Sequence, residues 1–109
     1  MGSHVKQKRA HQLSRSDFLF TIGYQGSIAI IDRSAQRRYG RLTVDELLER
    51  GLYKPALCAA EYDCDQDAQE KVLRSYNEQA VAPLFSVDQI RACFGVFGVP
   101  ESVTGVERV

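Results

Sequence analysis

FLFTIGYQGSIAII, residues Phe18 to Ile31, is the longest apolar, β-branched and aromatic run in the chain, and its reading decides the fold. Gln25-Gly26 interrupts it. Gly26 supplies the positive φ that a two-residue hairpin loop requires. With the loop there, Tyr24 faces Ser27, Gly23 faces Ile28, Ile22 faces Ala29 and Phe20 faces Ile31. Side chains alternate across a strand. Phe18, Phe20, Ile22, Tyr24, Ala29 and Ile31 then share one face, and Leu19, Thr21, Ile28 and Ile30 share the other. The first set is bulkier and is expected to face the core. A lone hairpin is marginal in water, so the rest of the chain should supply a layer against it.

C-terminal to the hairpin, Asp32 or Ser34 suits the cap of a short helical turn that Gly40 ends in the left-handed conformation. In Leu42-Thr43-Val44-Asp45-Glu46-Leu47, Thr43 and Glu46 have the spacing of a capping box, with Leu42 and Leu47 at the staple positions. That helix is expected over 44–50, stopped by Gly51. Residues 55–62, PALCAAEY, predict a mostly buried helix opened by Pro55. Asp65 or Asp67 caps a helix over 66–82, with Ala68, Val72, Leu73, Tyr76, Ala80 and Val81 on one side and Pro83 as its stop. Phe85-Ser86-Val87-Asp88-Gln89-Ile90 repeats the capping grammar, and that helix ends at Gly95. The stretches between the two capping sequences do not match, so convergence explains the repeat better than duplication. Ser102 to Val109 offers a third strand, weakened by Gly105. The expected class is α+β: an antiparallel hairpin, extended to three strands by the C-terminus, packed by about four short helices.

N-terminal to the hairpin, residues 1–16 are polar and basic, with only Val5 and Leu13 as sizeable apolar side chains. They read as a flexible arm, and the opening Met1-Gly-Ser-His as an expression remnant excluded from fold reasoning. Residues 17–109 form the expected single globular domain, long enough to bury a core without covalent staples. The apolar fraction of 44% is ordinary for a globular chain, and no run reaches the length of a membrane span. Three cysteines, without a CxxC pair, point to a reducing, cytoplasmic setting rather than a disulfide framework. The net charge is zero but segregated. Residues 1–41 hold eight basic and two acidic residues, a net +6, and residues 42–109 hold six basic and twelve acidic residues, a net −6. Such asymmetry suits an anionic partner or head-to-tail self-association.

The chemical inventory is thin. Asp63-x-Asp65-x-Asp67 starts like a calcium loop, but Ala68 and Arg74 replace its glycine and its bidentate glutamate. Gly23-Tyr-Gln-Gly26 has the G-x-x-G spacing of a nucleotide-clamping loop, without that loop's helical flanks or central cation. Residues 42–61 outline a helix-turn-helix, yet the second helix offers nothing to a base edge. His4 and His11 fall in the arm, and Cys58 and Cys93 in apolar helical settings. No catalytic residue, metal site or cofactor is expected.

Two function classes follow. The leading one is a non-catalytic protein-interaction domain that forms a homo-oligomer or docks on a protein partner through the sheet face of Leu19, Thr21, Ile28 and Ile30, since an uncovered apolar face marks association. The alternative is a nucleic-acid-binding module using the basic arm and the series Arg33, Arg37, Arg38, Tyr39 and Arg41, where arginine beside an aromatic suits phosphate contact and base stacking. No membrane partner is expected.

Overall fold

The computed structural model describes residues 13–109. The Lys6-Lys8-Arg9 cluster, His4 and His11 lie outside the described residues. The described chain forms α1 (Arg15–Leu19), β1 (Thr21–Gln25), β2 (Ile28–Ile31), α2 (Arg33–Tyr39), α3 (Val44–Glu49), α4 (Tyr53–Tyr62), α5 (Gln66–Gln79), α6 (Val87–Phe94) and β3 (Gly105–Arg108). The class is α+β. The sheet is mixed rather than purely antiparallel, in the order β1-β2-β3, because β3 runs parallel to β2. Among the described residues there are six helices rather than about four.

The added helix at the start corrects the reading of the decisive run. Ser14 caps α1, its hydroxyl accepting from the Asp17 N–H at 3.2 Å. Leu13 and Phe18 occupy the two positions of a hydrophobic staple, and both lie in the core. The globular fold therefore begins before residue 17, and Leu13, expected in the arm, is fully buried. Phe18, Leu19 and Phe20 are all buried in succession. A strand alternates its faces and would expose the middle one, whereas a helical turn entering the core buries all three. Leu19, expected on the outer sheet face, is thus a core residue of α1.

The hairpin loop sits one residue later than expected. Gln25 pairs with Ile28, leaving Gly26-Ser27 at the tip with Gly26 at φ 59°. Tyr24 pairs with Ala29 and Gly23 with Ile30, and a bulge at Ile22 shifts the register before Thr21 meets Ile31. The slip keeps the faces of β2: Ala29 and Ile31 are fully buried, while Ile28 and Ile30 are half-buried on the outer face. Ile22 and Tyr24, expected in the core, are 62% and 47% exposed. β1 is an edge strand, and the bulge turns Ile22 out of the paired ladder.

The helices follow local grammar. Asp32 caps α2 through the Ala35 N–H at 3.1 Å. The capping box of α3 is complete: the Glu46 N–H donates to Thr43 Oγ1 at 3.2 Å and the Thr43 N–H to Glu46 Oε1 at 2.9 Å. Gly51 follows at φ 72°, and the Leu52 N–H returns to the Leu47 carbonyl at 3.0 Å. α4 begins at Tyr53, two residues before Pro55, which costs nothing because a third helical residue has no intrahelical N–H partner to lose. Its run Ala56-Leu57-Cys58-Ala59-Ala60 is buried throughout, so α4 is the central helix, with the small alanines allowing close approach on its sides. α5 stops at Gln79 rather than 82, because the Asn77 side chain clamps the N–H and C=O of Leu84 at 2.9 and 2.8 Å and folds the chain back early. Phe85 does not staple α6, being 89% exposed; the Gln89 side chain instead accepts its N–H.

The C-terminal strand is tied down twice. Backbone bonds run from Thr104 N–H to Ser27 C=O and from Val109 N–H to Ile31 C=O. Arg108 Nη2 donates to the buried Asp17 carboxylate at 2.9 Å, and Arg108 Nε donates to Gln36 Oε1 at 3.1 Å. Asp17 also accepts from Gln36 Nε2. One side-chain network thereby joins α1, α2 and β3.

Candidate functional site

The bulge and the free edge of β1 create an open apolar cleft of about 430 Å³. Four separate segments wall it, α1 contributing Phe18. β1 contributes Ile22 and Tyr24, α4 contributes Lys54 and Cys58, and the loop after α6 contributes Val96 and Phe97. Gly95 ends α6 at φ 69°, and the chain reverses so that buried Val96 anchors the loop while Phe97 projects beside the cleft, 71% exposed. Ile22, Tyr24 and Phe97 are therefore three large exposed apolar side chains around one hollow, far denser than the scattered single residues of an ordinary surface.

The edge beside this cleft also has unused backbone groups. A two-residue hairpin turns Gln25 and Gly23 toward β2 and the N–H and C=O of Tyr24 outward. Among the described residues no other backbone group bonds to Tyr24.

The polar chemistry of the cleft is sparse. Burial pushes the Cys58 thiol up to about 12, with Lys54 opposing and Glu61 adding to the rise. The thiol stays protonated at neutral pH and has little nucleophilic character. Burial also raises the Tyr24 phenol, with Cys58 adding to the rise and a hydrogen bond with the Thr21 side chain opposing it. Lys54 is exposed and has no carboxylate partner among the described residues. The arrangement can hold an apolar side chain, pair with an extended backbone, and attract one negative charge. No group of three or more His, Cys, Asp or Glu able to hold a metal ion occurs among the described residues, and no described helix is long and apolar enough to cross a membrane.

The residues singled out from the sequence are placed in three different settings. Leu19 is in the core. Thr21 is on the core-facing side of the sheet, paired with Ile31, and its hydroxyl donates to the Asp17 carbonyl at 2.7 Å. Ile28 and Ile30 do face outward together, flanked by Gly105 and Gly23. Ile28 leans over Gly105, where a Cβ would stand 3.2 Å from its Cδ1. The outer face is consequently a two-isoleucine patch rather than a four-residue one.

The basic series is brought together on α2. Arg33, Arg37, Arg38 and Arg41 are all exposed. Tyr39 is not available for stacking on a base: it is half-buried, its ring packs 6.4 Å from Phe20 at a 32° tilt, and the Arg38 guanidinium lies 5.9 Å from its centroid. Phe97 is the residue that sequence reasoning missed. Its signal was an aromatic between two glycines, in Gly95-Val96-Phe97-Gly98, belonging to no periodic element.

No protein-family model matches this chain, nor does any curated protein or solved structure.

Proposed function

We propose that this domain is a protein-interaction module that binds an extended segment of a partner protein along the edge of β1. The observation that supports this reading is the convergence of Ile22, Tyr24 and Phe97, all exposed, on one cleft beside an unpaired strand edge. Strand addition suits such an edge: the backbone supplies affinity, and a side-chain pocket supplies selectivity. The preferred segment has an aliphatic or aromatic anchor for the cleft and a carboxylate for Lys54. Chemistry is not part of this proposal, because the cleft's buried thiol is held protonated.

The test is selection from a displayed library of random peptides, followed by titration of the enriched peptide in synthetic form. Burial of one large apolar side chain is worth roughly 1.5–3 kcal/mol. Phe97→Ser and Tyr24→Ser should therefore each weaken the peptide by about tenfold or more, and Lys54→Glu should disfavour peptides that bear the carboxylate. A library in which nothing is enriched over the Tyr24→Ser/Phe97→Ser protein refutes the reading. If light scattering finds a dimer that Ile22→Asp disperses, a second copy is the occupant instead.

A further inference from the structure

A second surface, separate from the cleft, is built from α2. Ala35 and Tyr39 turn one side of α2 against the core, and Arg33, Arg37 and Arg38 on the rest of the helix are exposed. Arg33, Arg37 and Arg41 recur at a spacing of four, with Arg38 beside them. Two adjoining hollows share Arg37: one is lined by Arg33, Ser34, Arg37, Arg38 and Val109, the other by Ser16, Gln36, Arg37, Gly40 and Arg41. The four guanidinium groups thus form one continuous strip.

This strip stands apart from the rest of the charge pattern. Ion pairs form elsewhere on the described surface. Arg15 reaches Asp63 at 3.3 Å and Arg108 reaches Asp17 at 2.9 Å. Asp45, which lies close in sequence to the strip, is held by Lys71 at 2.6 Å. Among the described residues no carboxylate comes within ion-pair distance of Arg33, Arg37, Arg38 or Arg41. Like charges four apart on a helix repel, and Arg33, at the positive N-terminal end of α2, also opposes the helix dipole. Arg33 Nη2 donates to the Arg108 carbonyl at 3.2 Å and Arg38 lies over the Tyr39 ring, but no carboxylate offsets the two penalties among the described residues. A polyanion relieves both penalties.

The occupant is defined by what the strip lacks. Tyr39 is withdrawn into the core, and no other aromatic lines either hollow. Bases find no aromatic platform there, which favours recognition through the phosphates. Successive arginines at i and i+4 rise about 6 Å along the helix, and guanidinium forks match phosphate oxygens in pairs. We infer that the α2 arginine strip binds the phosphate backbone of a nucleic acid without regard to sequence.

The experiment is fluorescence anisotropy on the full chain with a labelled single-stranded oligonucleotide of mixed sequence, titrated at several salt concentrations. Four phosphate contacts on a single strand give a slope of about −2.8 in log affinity against log salt, so affinity should fall about 50-fold between 50 and 200 mM salt. Arg37→Gln/Arg38→Gln should reduce the slope to about −1.4 and the fall to about sevenfold over the same range. Scrambling the oligonucleotide should change nothing. The inference is overturned if the double variant binds as the parent does, which would place binding on residues 1–12. It is equally overturned if the parent binds phosphatidylserine vesicles but not the oligonucleotide, or binds neither. Circular dichroism of the variant provides the folding control, and the exposure of both side chains predicts an unchanged spectrum.

Discussion

Replacing Arg108 by methionine should destabilise the domain more than replacing Asp17 by asparagine, although both changes break the same ion pair. The Asp17 side chain is 9% exposed and the Arg108 side chain 42%. Arg108→Met leaves a carboxylate in place with only Gln36 donating to it from the network. Removing one partner of a fully buried pair costs about 3–5 kcal/mol. Solvent screening around the half-exposed guanidinium lowers that here to roughly 2 kcal/mol. Asp17→Asn removes the charge but keeps a carbonyl for Arg108 Nη2, and Arg108 can turn toward water, so its cost is about 1 kcal/mol. The double variant should cost little more than Asp17→Asn alone, because no unpaired charge remains, and the coupling is then about 1–2 kcal/mol. Urea unfolding followed by far-ultraviolet circular dichroism measures all three. With an m-value of about 1–2 kcal/mol/M, Arg108→Met should lower the midpoint by roughly 1–2 M at constant m. Equal costs for the two single changes, or strict additivity in the double, would refute the claim that a buried carboxylate is what pins β3 to α1.

Other consequences are as direct. Gly40→Ala should destabilise by about 1–3 kcal/mol even though Gly40 has an ordinary helical φ of −65°, because a Cβ there would lie 2.4 Å from the Gln36 carbonyl oxygen; thermal melting measures the loss. Thr43→Ala should cost about 1 kcal/mol by removing half of the α3 capping box. At neutral pH a thiol reagent should modify the exposed Cys64 and Cys93 while the protein is folded, and Cys58 only after denaturant is added, which mass spectrometry reads. The Cys58 thiol gives a pH signature as well. Its folded pKa of about 12 exceeds that of an unfolded cysteine, near 8.5–9. Its contribution to stability is therefore complete below about pH 8.5 and is lost as the unfolded chain gives up the proton, at about 1.4 kcal/mol per pH unit up to about pH 12. Denaturation of the parent against Cys58→Ala should show a steeper fall in the parent, the difference being the Cys58 contribution, because the raised Tyr24 and Tyr62 phenols act in both proteins.

The parts of the fold that the sequence made legible are those with causes within a few residues. Thr43 with Glu46, Asp32, Asp65, Ser86 and Gly95 each terminate a helix through a local bond or a local dihedral, and each was readable. β2 was readable too, since its alternation survives any slip by an even number of residues. The start of the hairpin was not, because Phe18-Leu19-Phe20 fits a strand by composition, and only burial of all three reveals a helical turn. The parallel direction of β3 depends on the path of five intervening helices, which no pattern in residues 102–109 encodes. The cleft was illegible for the same reason: Ile22, Lys54 and Phe97 meet only after the chain has folded. Conversely, the arginine series was visible at once, but the withdrawal of Tyr39 into the core was not, since its position in Arg37-Arg38-Tyr39-Gly40 looks exposed.

The measurement that bears most directly on the proposed role of the β1 edge is amide hydrogen exchange by nuclear magnetic resonance, with and without the peptide enriched from the library. Strand addition predicts that the Tyr24 amide, which points away from β2, gains protection on binding, and that Ile22 and residues 96–98 shift with it. Unchanged exchange at Tyr24, with shifts gathered instead at Ile28 and Ile30 on the outer face, would contradict the account.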